Sequence, residues 1–272
     1  MFTYTFSQWL MFFYVYCFIG WLIESVIVTI YDKKLTNRGF LRGPYLPLYG
    51  FGAITILFST LPFREKPLLV FVFGMISTTI LEYVTSWLME TTLKMRYWDY
   101  SDQKMNYKGR ISLISSIFWG LLSLLLMYFL HSTIENFVFW LSADHHFVFI
   151  LMVVIISILM ISDTLYAFRT AFDVNKLLAK ITAIKAELEK LKTQLSDKID
   201  NSEAATQVRE RYLELKSELM NIFEKMGFFK EQLIKANPHA RSKNFNEALK
   251  EVRVKLSEKK AAEKAKAKDK NK

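Results

Sequence analysis

Four acidic residues lie inside stretches of sequence that are otherwise apolar: Glu24, Glu82, Glu90 and Asp163. A charged side chain at such a depth in a membrane costs about 2–3 kcal/mol on insertion scales, so it usually faces protein or water and marks a functional site. Glu24 and Glu82 therefore suggest a polar cavity that binds a cationic or polar solute or exchanges a proton. Glu90 is expected to lie at the membrane interface.

Three arginines are the natural partners of these carboxylates. Arg38 and Arg42 follow the first apolar stretch, and Arg110 follows the third. A second interpretation is therefore that carboxylates and arginines form structural ion pairs that hold the helix ends together. Structural ion pairs are the favoured interpretation of this cluster, and a binding cavity is the alternative.

Aromatic and polar residues follow the third apolar stretch, among them Trp98, Asp99 and Asn106. Because Trp and Tyr gather at membrane interfaces, the segment 97–102 is interpreted as an aromatic belt. Asp99 and Asp102 come without further ligands, so they do not favour a metal site.

The sequence excludes several kinds of chemistry. Cys17 is its one cysteine, so neither an internal disulfide nor a cysteine zinc site can form. No G-x-x-x-x-G-K-[ST] segment occurs, so ATP phosphates cannot be held in that way. His131, His145 and His146 fall in a predicted outer loop without metalloprotease spacing and are expected to face solvent. We expect no metal, no cofactor and no catalytic activity in the chain itself.

Five apolar stretches position these residues: about 8–30, 45–62, 67–91, 111–130 and 147–168. About 20 apolar residues cross a membrane as a helix, so the predicted fold class is an all-α membrane protein with five transmembrane helices. The second stretch begins with Pro44, Pro47, Gly50 and Gly52, and a re-entrant segment is the alternative there.

Basic residues are unevenly distributed between the linking segments. The segments 31–44 and 92–110 and the tail are rich in Lys and Arg, whereas the N-terminus and 131–146 have none. Because positively charged loops stay in the cytoplasm, we expect a multi-pass cell-membrane protein with its N-terminus outside and its C-terminus inside.

The first two hairpins share a short pattern. Trp21-Leu22-Ile23-Glu24 closes the first predicted span, and Trp87-Leu88-Met89-Glu90 closes the third. The pattern suggests a parallel duplication of helices 1–2 and 3–4, as some transporters have. Two unrelated hairpins with the same interfacial preferences would look similar.

The tail changes composition after the last span. Apolar residues at heptad spacing, from Val174 to Leu195 and from Val208 to Met226, predict two helices. An antiparallel hairpin is the first expectation, and a parallel dimeric coiled coil is the alternative. The predicted domains are 1–170 in the membrane, 171–258 as a cytoplasmic helical domain, and 259–272 as a disordered lysine-rich tail. Such a tail suits anionic lipid headgroups better than nucleic acid.

Longer motifs resemble the bacterial ABC-transporter permease family, type IV, over about residues 4–170. They are Phe18-Ile19-Gly20-Trp21-Leu22-Ile23-Glu24, the segment from Asn37-Arg38-Gly39 to Tyr49-Gly50, Leu81-Glu82-Tyr83, and Trp98-Asp99-Tyr100-Ser101 through Asn106 and Gly109-Arg110 to Trp119-Gly120. The resemblance implies that the loops 31–44 and 92–110 dock a separate ATPase subunit and that solute binds near Glu24 and Glu82.

Three functions follow from these features. The first is a non-catalytic permease subunit that works with a separate ATPase. The second is a membrane scaffold or regulatory protein whose coiled-coil tail recruits a cytoplasmic partner. The third is a membrane-embedded enzyme acting on lipid or envelope precursors, with Glu24, Glu82 and Asp99 as acid–base groups. The expected partners are the lipid bilayer, an ATPase and a second copy of the chain.

Overall fold

A computed structural model describes residues 4–33, 37–197 and 203–269 of the 272-residue chain. The chain divides into two compact units. Met1–Thr92 and Arg96–Phe168 form the first, and Leu93–Met95 and Arg169–Lys272 form the second. Helices account for nearly all of the regular structure that is described, which confirms the all-α fold class.

Six helices contribute to the first unit: α1 (Phe6–Asp32), α2 (Pro47–Thr60), α3 (Pro67–Leu93), α4 (Leu113–Leu125), α5 (His131–Asp144) and the start of α6 (His146–Asp197). A 3-10 turn (Leu61–Phe63) extends α2, and a π-helical turn (Leu126–Leu130) joins α4 to α5. Three short strands follow α3, namely β1 (Met95–Arg96), β2 (Asn106–Tyr107) and β3 (Ile111–Ser112). Strands β2 and β3 pair antiparallel, with Asn106 opposite Ser112.

Four helical stretches in the described part of the chain are long and apolar enough to cross a membrane: Phe6–Ile30, Pro67–Leu93, Leu113–Asp144 and His146–Leu195. Large apolar side chains cover their outer faces; Ile158, Ile161 and Leu165 of α6 are 62%, 60% and 68% exposed. Continuous apolar faces of this kind suit lipid and not water. The chain is therefore a membrane protein. Its second predicted span is a shorter apolar helix, Pro47–Phe63, so that crossing stays a prediction.

The first two helices pack closely. A Cβ atom on Gly50 would lie 2.3 Å from Sγ of Cys17 on α1, so only glycine allows this approach. Phe12, Ile56, Met127 and Phe149 are almost completely buried in the core around this contact. The core joins α1, α2, the π-helical turn and α6, and it fixes where their polar side chains lie.

The predicted outer loop at 131–146 is wrong for most of its length, because helix α5 occupies His131–Asp144. The polar residues of this segment lower its hydropathy, so a loop was predicted. Val138 and Leu141 nevertheless lie on one face of the helix and are buried. His131, which was expected to face solvent, is 0% exposed. His145 and His146 are exposed, as predicted.

The second unit contains the rest of α6, α7 (Glu203–Glu224), α8 (Phe228–Ala236), β4 (Arg241–Ser242) and α9 (Asn246–Asp269). Ion pairs join Lys180 to Glu218 and Glu187 to Arg211, at 2.6 and 3.1 Å. Residue numbers rise along α6 as they fall along α7, so these two helices are antiparallel within one chain. The segment between them, 198–202, lies outside the described residues.

Helix α9 extends through most of the segment that was expected to be disordered. It ends at Asp269, and residues 270–272 lie outside the described part of the chain. The segment consists of Ala, Lys, Glu and Asp up to that point, without Gly or Pro. Ala, Lys and Glu are strong helix formers, which is why a low apolar content does not end the helix here.

Candidate functional site inside the first unit

Glu82 of α3 is buried, with 3% of its surface exposed. The Tyr100 hydroxyl donates to its Oε1 at 2.9 Å. Its Oε2 accepts from Ser115 Oγ at 3.3 Å and from Trp119 Nε1 at 3.2 Å. All three donors are neutral, and within the described residues no Lys or Arg forms an ion pair with this carboxylate.

The start of α4 places two of these donors. Ser112 caps the helix in a reciprocal pair with Ser115, so the first turn is fixed. Ser115 and Trp119 are four residues apart and therefore lie on one face of the helix. That face meets the Glu82 side of α3.

Glu24 of α1 is less enclosed than Glu82. The Tyr49 hydroxyl donates to its Oε1 at 2.8 Å. Arg38 Nε lies 3.8 Å from its Oε2, and the two side chains are 25% (Arg38) and 32% (Glu24) exposed. Tyr49 belongs to the first turn of α2, which begins at Pro47. Glu24 is therefore loosely paired and partly accessible.

Aromatic residues connect the two carboxylates. The rings of Tyr49 and Trp119 lie 6.2 Å apart between centroids. Burial, followed by the charges of Glu82 and Glu24, raises the pKa of Tyr100 above its ordinary value. Tyr100 thus stays a neutral hydrogen-bond donor at physiological pH. We call Glu24, Glu82, Tyr49, Tyr100 and Trp119 the carboxylate cluster.

Glu90 lies in a different environment, near the end of α3. Its Oε2 accepts from Arg96 Nη2 at 3.0 Å and from Arg110 Nη2 and Nε at 2.8 and 3.2 Å. The hydrogen bonds to Glu90 raise the pKa of Arg110, which keeps its guanidinium charged. At this position the structure has the ion pairs that the second interpretation describes.

Three predicted site residues build the loop between α3 and α4. Trp98 Nε1 donates to the carbonyl of Arg110 at 3.1 Å. Asp99 accepts from the Ser101 backbone N–H at 2.9 Å and lies 3.6 Å from Arg96. Asn106 accepts from the Gly109 N–H at 2.9 Å. These contacts set the course of the loop and so place Tyr100 against Glu82.

Asp163 of α6 fixes the loop between α1 and α2. Its Oδ2 accepts from the backbone N–H groups of Arg42 and Gly43, at 3.0 and 2.7 Å. The Arg42 guanidinium lies over the Tyr166 ring, 4.2 Å from the centroid. Asp163 therefore meets this loop through backbone groups and does not belong to the carboxylate cluster.

Sequence reasoning missed four members of the site's surroundings: Tyr49, Tyr100, Ser115 and Trp119. The available signal was that Tyr49 and Trp119 each stand directly before a glycine within an apolar stretch. Within the described residues no group of three or more His, Cys, Asp or Glu side chains could hold a metal ion.

Comparisons with known proteins give one match. A protein-family model with the description "Putative ABC-transporter type IV" matches residues 11–168. Neither the curated proteins nor the solved structures contain a match. The matched segment is more than half of the chain and includes the whole carboxylate cluster. The chain therefore belongs to this family of ABC-transporter-related membrane proteins.

Proposed function

We propose that the chain is the membrane-spanning permease subunit of a transporter that a separate ATPase drives, and that the carboxylate cluster binds a cationic group of the solute. The observation that carries the proposal is the burial of Glu82 among neutral donors only. A buried charge is expensive unless it is paired, and such residues in membrane helices are usually functional. A cation from the solute would supply the missing charge.

The rest of the cluster suits a cation as well. Tyr49 and Trp119 bring aromatic rings beside the carboxylates, and aromatic faces attract ammonium and guanidinium groups. Glu24 is partly exposed and only loosely paired with Arg38. An incoming cation would therefore meet Glu24 first, displace Arg38 from it and then pass to Glu82.

Energy for transport must come from another protein under this proposal, because the chain has no phosphate-binding motif of the P-loop kind. The basic loops 31–44 and 92–110 are the proposed docking surface for an ATPase. Asp163 holds the first loop, and the Glu90–Arg96–Arg110 ion pairs hold the second. Positive loops favour the cytoplasm, where ATP is available.

The test is purification of the tagged full-length chain from its native membranes in a mild detergent, with mass spectrometry of the proteins that copurify. We expect an ATP-binding subunit. In the reconstituted complex, the rate of ATP hydrolysis should increase when amines from a defined panel are added. Glu82→Gln should retain basal hydrolysis and lose the stimulation, whereas the exposed carboxylate variant Glu65→Gln should respond as the wild type does. Absence of an ATP-binding partner would refute the proposal.

A scaffold is the second candidate, because the second unit has a core and an apolar cavity of its own. The cavity has a volume of about 380 Å³, and Met220, Phe223, Met226, Val252 and Leu256 form its apolar lining. Methionine-rich surfaces adapt to varied partners. If the cavity lining recruits a partner, Phe223→Asp should release the copurifying protein. Phe228→Asp, on an exposed side chain of the same unit, is the control.

A further inference from the structure

A buried histidine lies near the N-terminal end of α1, away from the basic loops. His131 is 0% exposed and begins α5 directly after the π-helical turn Leu126–Leu130. A π-helical turn inserts an extra residue into a helix and is frequent at functional sites. Here it rotates the following turn so that the imidazole points into the bundle.

Both ring nitrogens of His131 have tyrosine partners from the N-terminal segment. Nε2 lies 3.1 Å from the Tyr4 hydroxyl, and Nδ1 lies 3.0 Å from the Tyr16 hydroxyl. The Phe12 ring packs against the imidazole with its centroid 5.3 Å away. The imidazole is therefore fully hydrogen-bonded in an apolar, aromatic surrounding.

The fourth group in this chain of hydrogen bonds is Glu135, one turn after His131. The Tyr4 hydroxyl donates its proton to Glu135 Oε1. Since that proton is committed, the Tyr4 oxygen accepts from Nε2–H of His131. Nδ1 is then unprotonated and accepts from the Tyr16 hydroxyl. The hydrogen bond from Tyr4 to Glu135 thus fixes one tautomer of a neutral His131.

We propose that His131 is a proton-binding site, in which Tyr4 links the imidazole to Glu135. A proton taken from water forms a bond to Nδ1, and the imidazolium keeps its Nε2–H bond to Tyr4. Its charge is balanced by the Glu135 carboxylate through that tyrosine, so the pair is neutral overall. This site does not depend on the function proposed above.

One hydrogen bond must change when the proton binds. Tyr4 can keep both of its bonds, but Nδ1–H now donates, so the Tyr16 hydroxyl turns its own proton away and accepts instead. Tyr16 belongs to α1, which also carries Glu24 eight residues further along. That interval is about 12 Å of helix. Proton binding therefore acts on the helix that carries one carboxylate of the cluster.

The charged groups that act on His131 come from two elements. Glu135 is on its own helix, and Arg64 is in the turn after α2. Burial in an apolar surrounding and the charge of Arg64 oppose the added proton, whereas the charge of Glu135 favours it. Glu135 is half-buried.

The experiment is nitrogen NMR of the full-length protein with ring-labelled histidine in lipid nanodiscs, over a series of pH values. His131→Asn identifies the His131 signals. At alkaline pH we expect the neutral tautomer with its proton on Nε2, and on acidification we expect the imidazolium. A His131 that stays neutral to the lowest pH at which the protein is folded overturns the proposal, and so does the opposite tautomer.

Variants of the countercharge test the same site. At the pH where half of wild-type His131 is protonated, Glu135→Gln should reduce the ratio of protonated to neutral His131 about tenfold, because a nearby opposite charge favours the charged form by about that factor or more. Tyr4→Phe should reduce it in the same direction, and it carries the test if Glu135→Gln does not fold. Glu65→Gln, which removes an exposed carboxylate beside Arg64, should leave the fraction unchanged. An equal loss in Glu65→Gln overturns the proposal.

Discussion

The α1–α2 hairpin and the α3–α4 hairpin have the same set of contacts around one carboxylate. Glu24 accepts from Tyr49, and Glu82 accepts from Trp119. Each aromatic residue stands directly before a glycine, Gly50 or Gly120. Each glycine lies against a phenylalanine, Phe13 or Phe71, that comes eleven residues before the carboxylate. These contacts favour a pairing of Glu24 with Glu82 if the hairpins are duplicates.

The matching Trp-x-x-Glu segments favoured a different pairing, of Glu24 with Glu90. The contacts do not follow it. Trp21 donates to Asn37 at 2.6 Å, whereas Trp87 is 50% exposed. Glu90 binds two arginines, whereas Glu24 binds Tyr49 and lies near one arginine. A short motif at a helix end reflects the residue preferences of the membrane interface. Contacts deeper in the hairpins are the better guide to whether the two hairpins share an architecture.

The two hairpins differ in how far they close over their carboxylates. Glu82 is 3% exposed and has three neutral donors, while Glu24 is partly open beside Arg38. The longer loop between α3 and α4 supplies the difference, because it brings Tyr100 onto Glu82. One hairpin thus has a closed carboxylate and the other an accessible one, which suits successive positions on one path.

The largest expected effect separates these two carboxylates. Glu82→Gln should weaken amine stimulation of ATP hydrolysis more than about a hundredfold, because a buried pair that loses one charge costs about 3–5 kcal/mol. Glu24→Gln should weaken it less than about tenfold, since a partly exposed pair contributes about 1 kcal/mol or less. The measurement is the amine concentration for half-maximal stimulation. Equal effects would show that the hairpins are not functionally distinct.

The sequence predicts the helices well and their contacts poorly. The stretches predicted at 8–30 and 67–91 lie within Phe6–Asp32 and Pro67–Leu93, because an apolar run of that length is a property of composition. Two of the three donors to Glu82 are Tyr100 and Trp119, which are 18 and 37 residues away. Only tertiary packing brings them there, and no local pattern encodes it.

His131 is a second residue whose contacts the sequence does not predict. Its surrounding residues include Ser132, Thr133, Glu135 and Asn136, so the hydropathy falls and a loop is predicted. The polar residues occupy one side of a continuing helix, and Glu135 bonds to Tyr4 at the far end of the chain. Local composition cannot show that a polar residue has a partner more than a hundred residues away.

The second prediction concerns the paired glycines. Gly50→Ala and Gly120→Ala should each destabilise the protein by about 1–3 kcal/mol, because the new Cβ would lie 2.3 Å from Cys17 Sγ or 2.6 Å from the Phe71 ring. Thermal unfolding in detergent measures this. A control is Gly227→Ala, where nothing lies within 4 Å of the new atom.

A double variant sharpens the glycine comparison. Cys17→Ala should recover part of the stability lost in Gly50→Ala and none of that lost in Gly120→Ala, since Cys17 contacts Gly50 alone of the two. Unchanged unfolding temperatures in both single variants would mean that each helix crossing has space for an added methyl group. The structural pairing of the hairpins would then lose its main support.

The third prediction tests Glu90 as a structural group. Glu90→Gln should destabilise the protein by about 1–2 kcal/mol, because Arg96 and Arg110 would lose their common negative charge while remaining mostly buried. It should leave the half-maximal amine concentration unchanged in the reconstituted complex. A loss of amine stimulation in Glu90→Gln without a loss of stability would place Glu90, and not Glu82, in the solute path.

The smallest effect is expected for Tyr100→Phe, which removes one donor from Glu82. At neutral pH it should cost about 1 kcal/mol of unfolding free energy, the usual net value of one hydrogen bond. Because the pKa of Tyr100 is raised in the folded state, its contribution is complete below the unfolded pKa of about 10 and is lost as the pH rises above that value.

Thermal unfolding of the wild type and Tyr100→Phe between pH 8 and 11 measures this contribution. The difference between the two proteins should be constant up to about pH 10 and should narrow above it, since the unfolded wild type then releases a proton that the folded one retains. Tyr107→Phe, on an exposed side chain of the same loop, is the control. A difference that widens with pH would mean that Tyr100 ionises more readily in the folded protein, and Tyr100 could not then be the neutral group that closes the α3–α4 hairpin over Glu82.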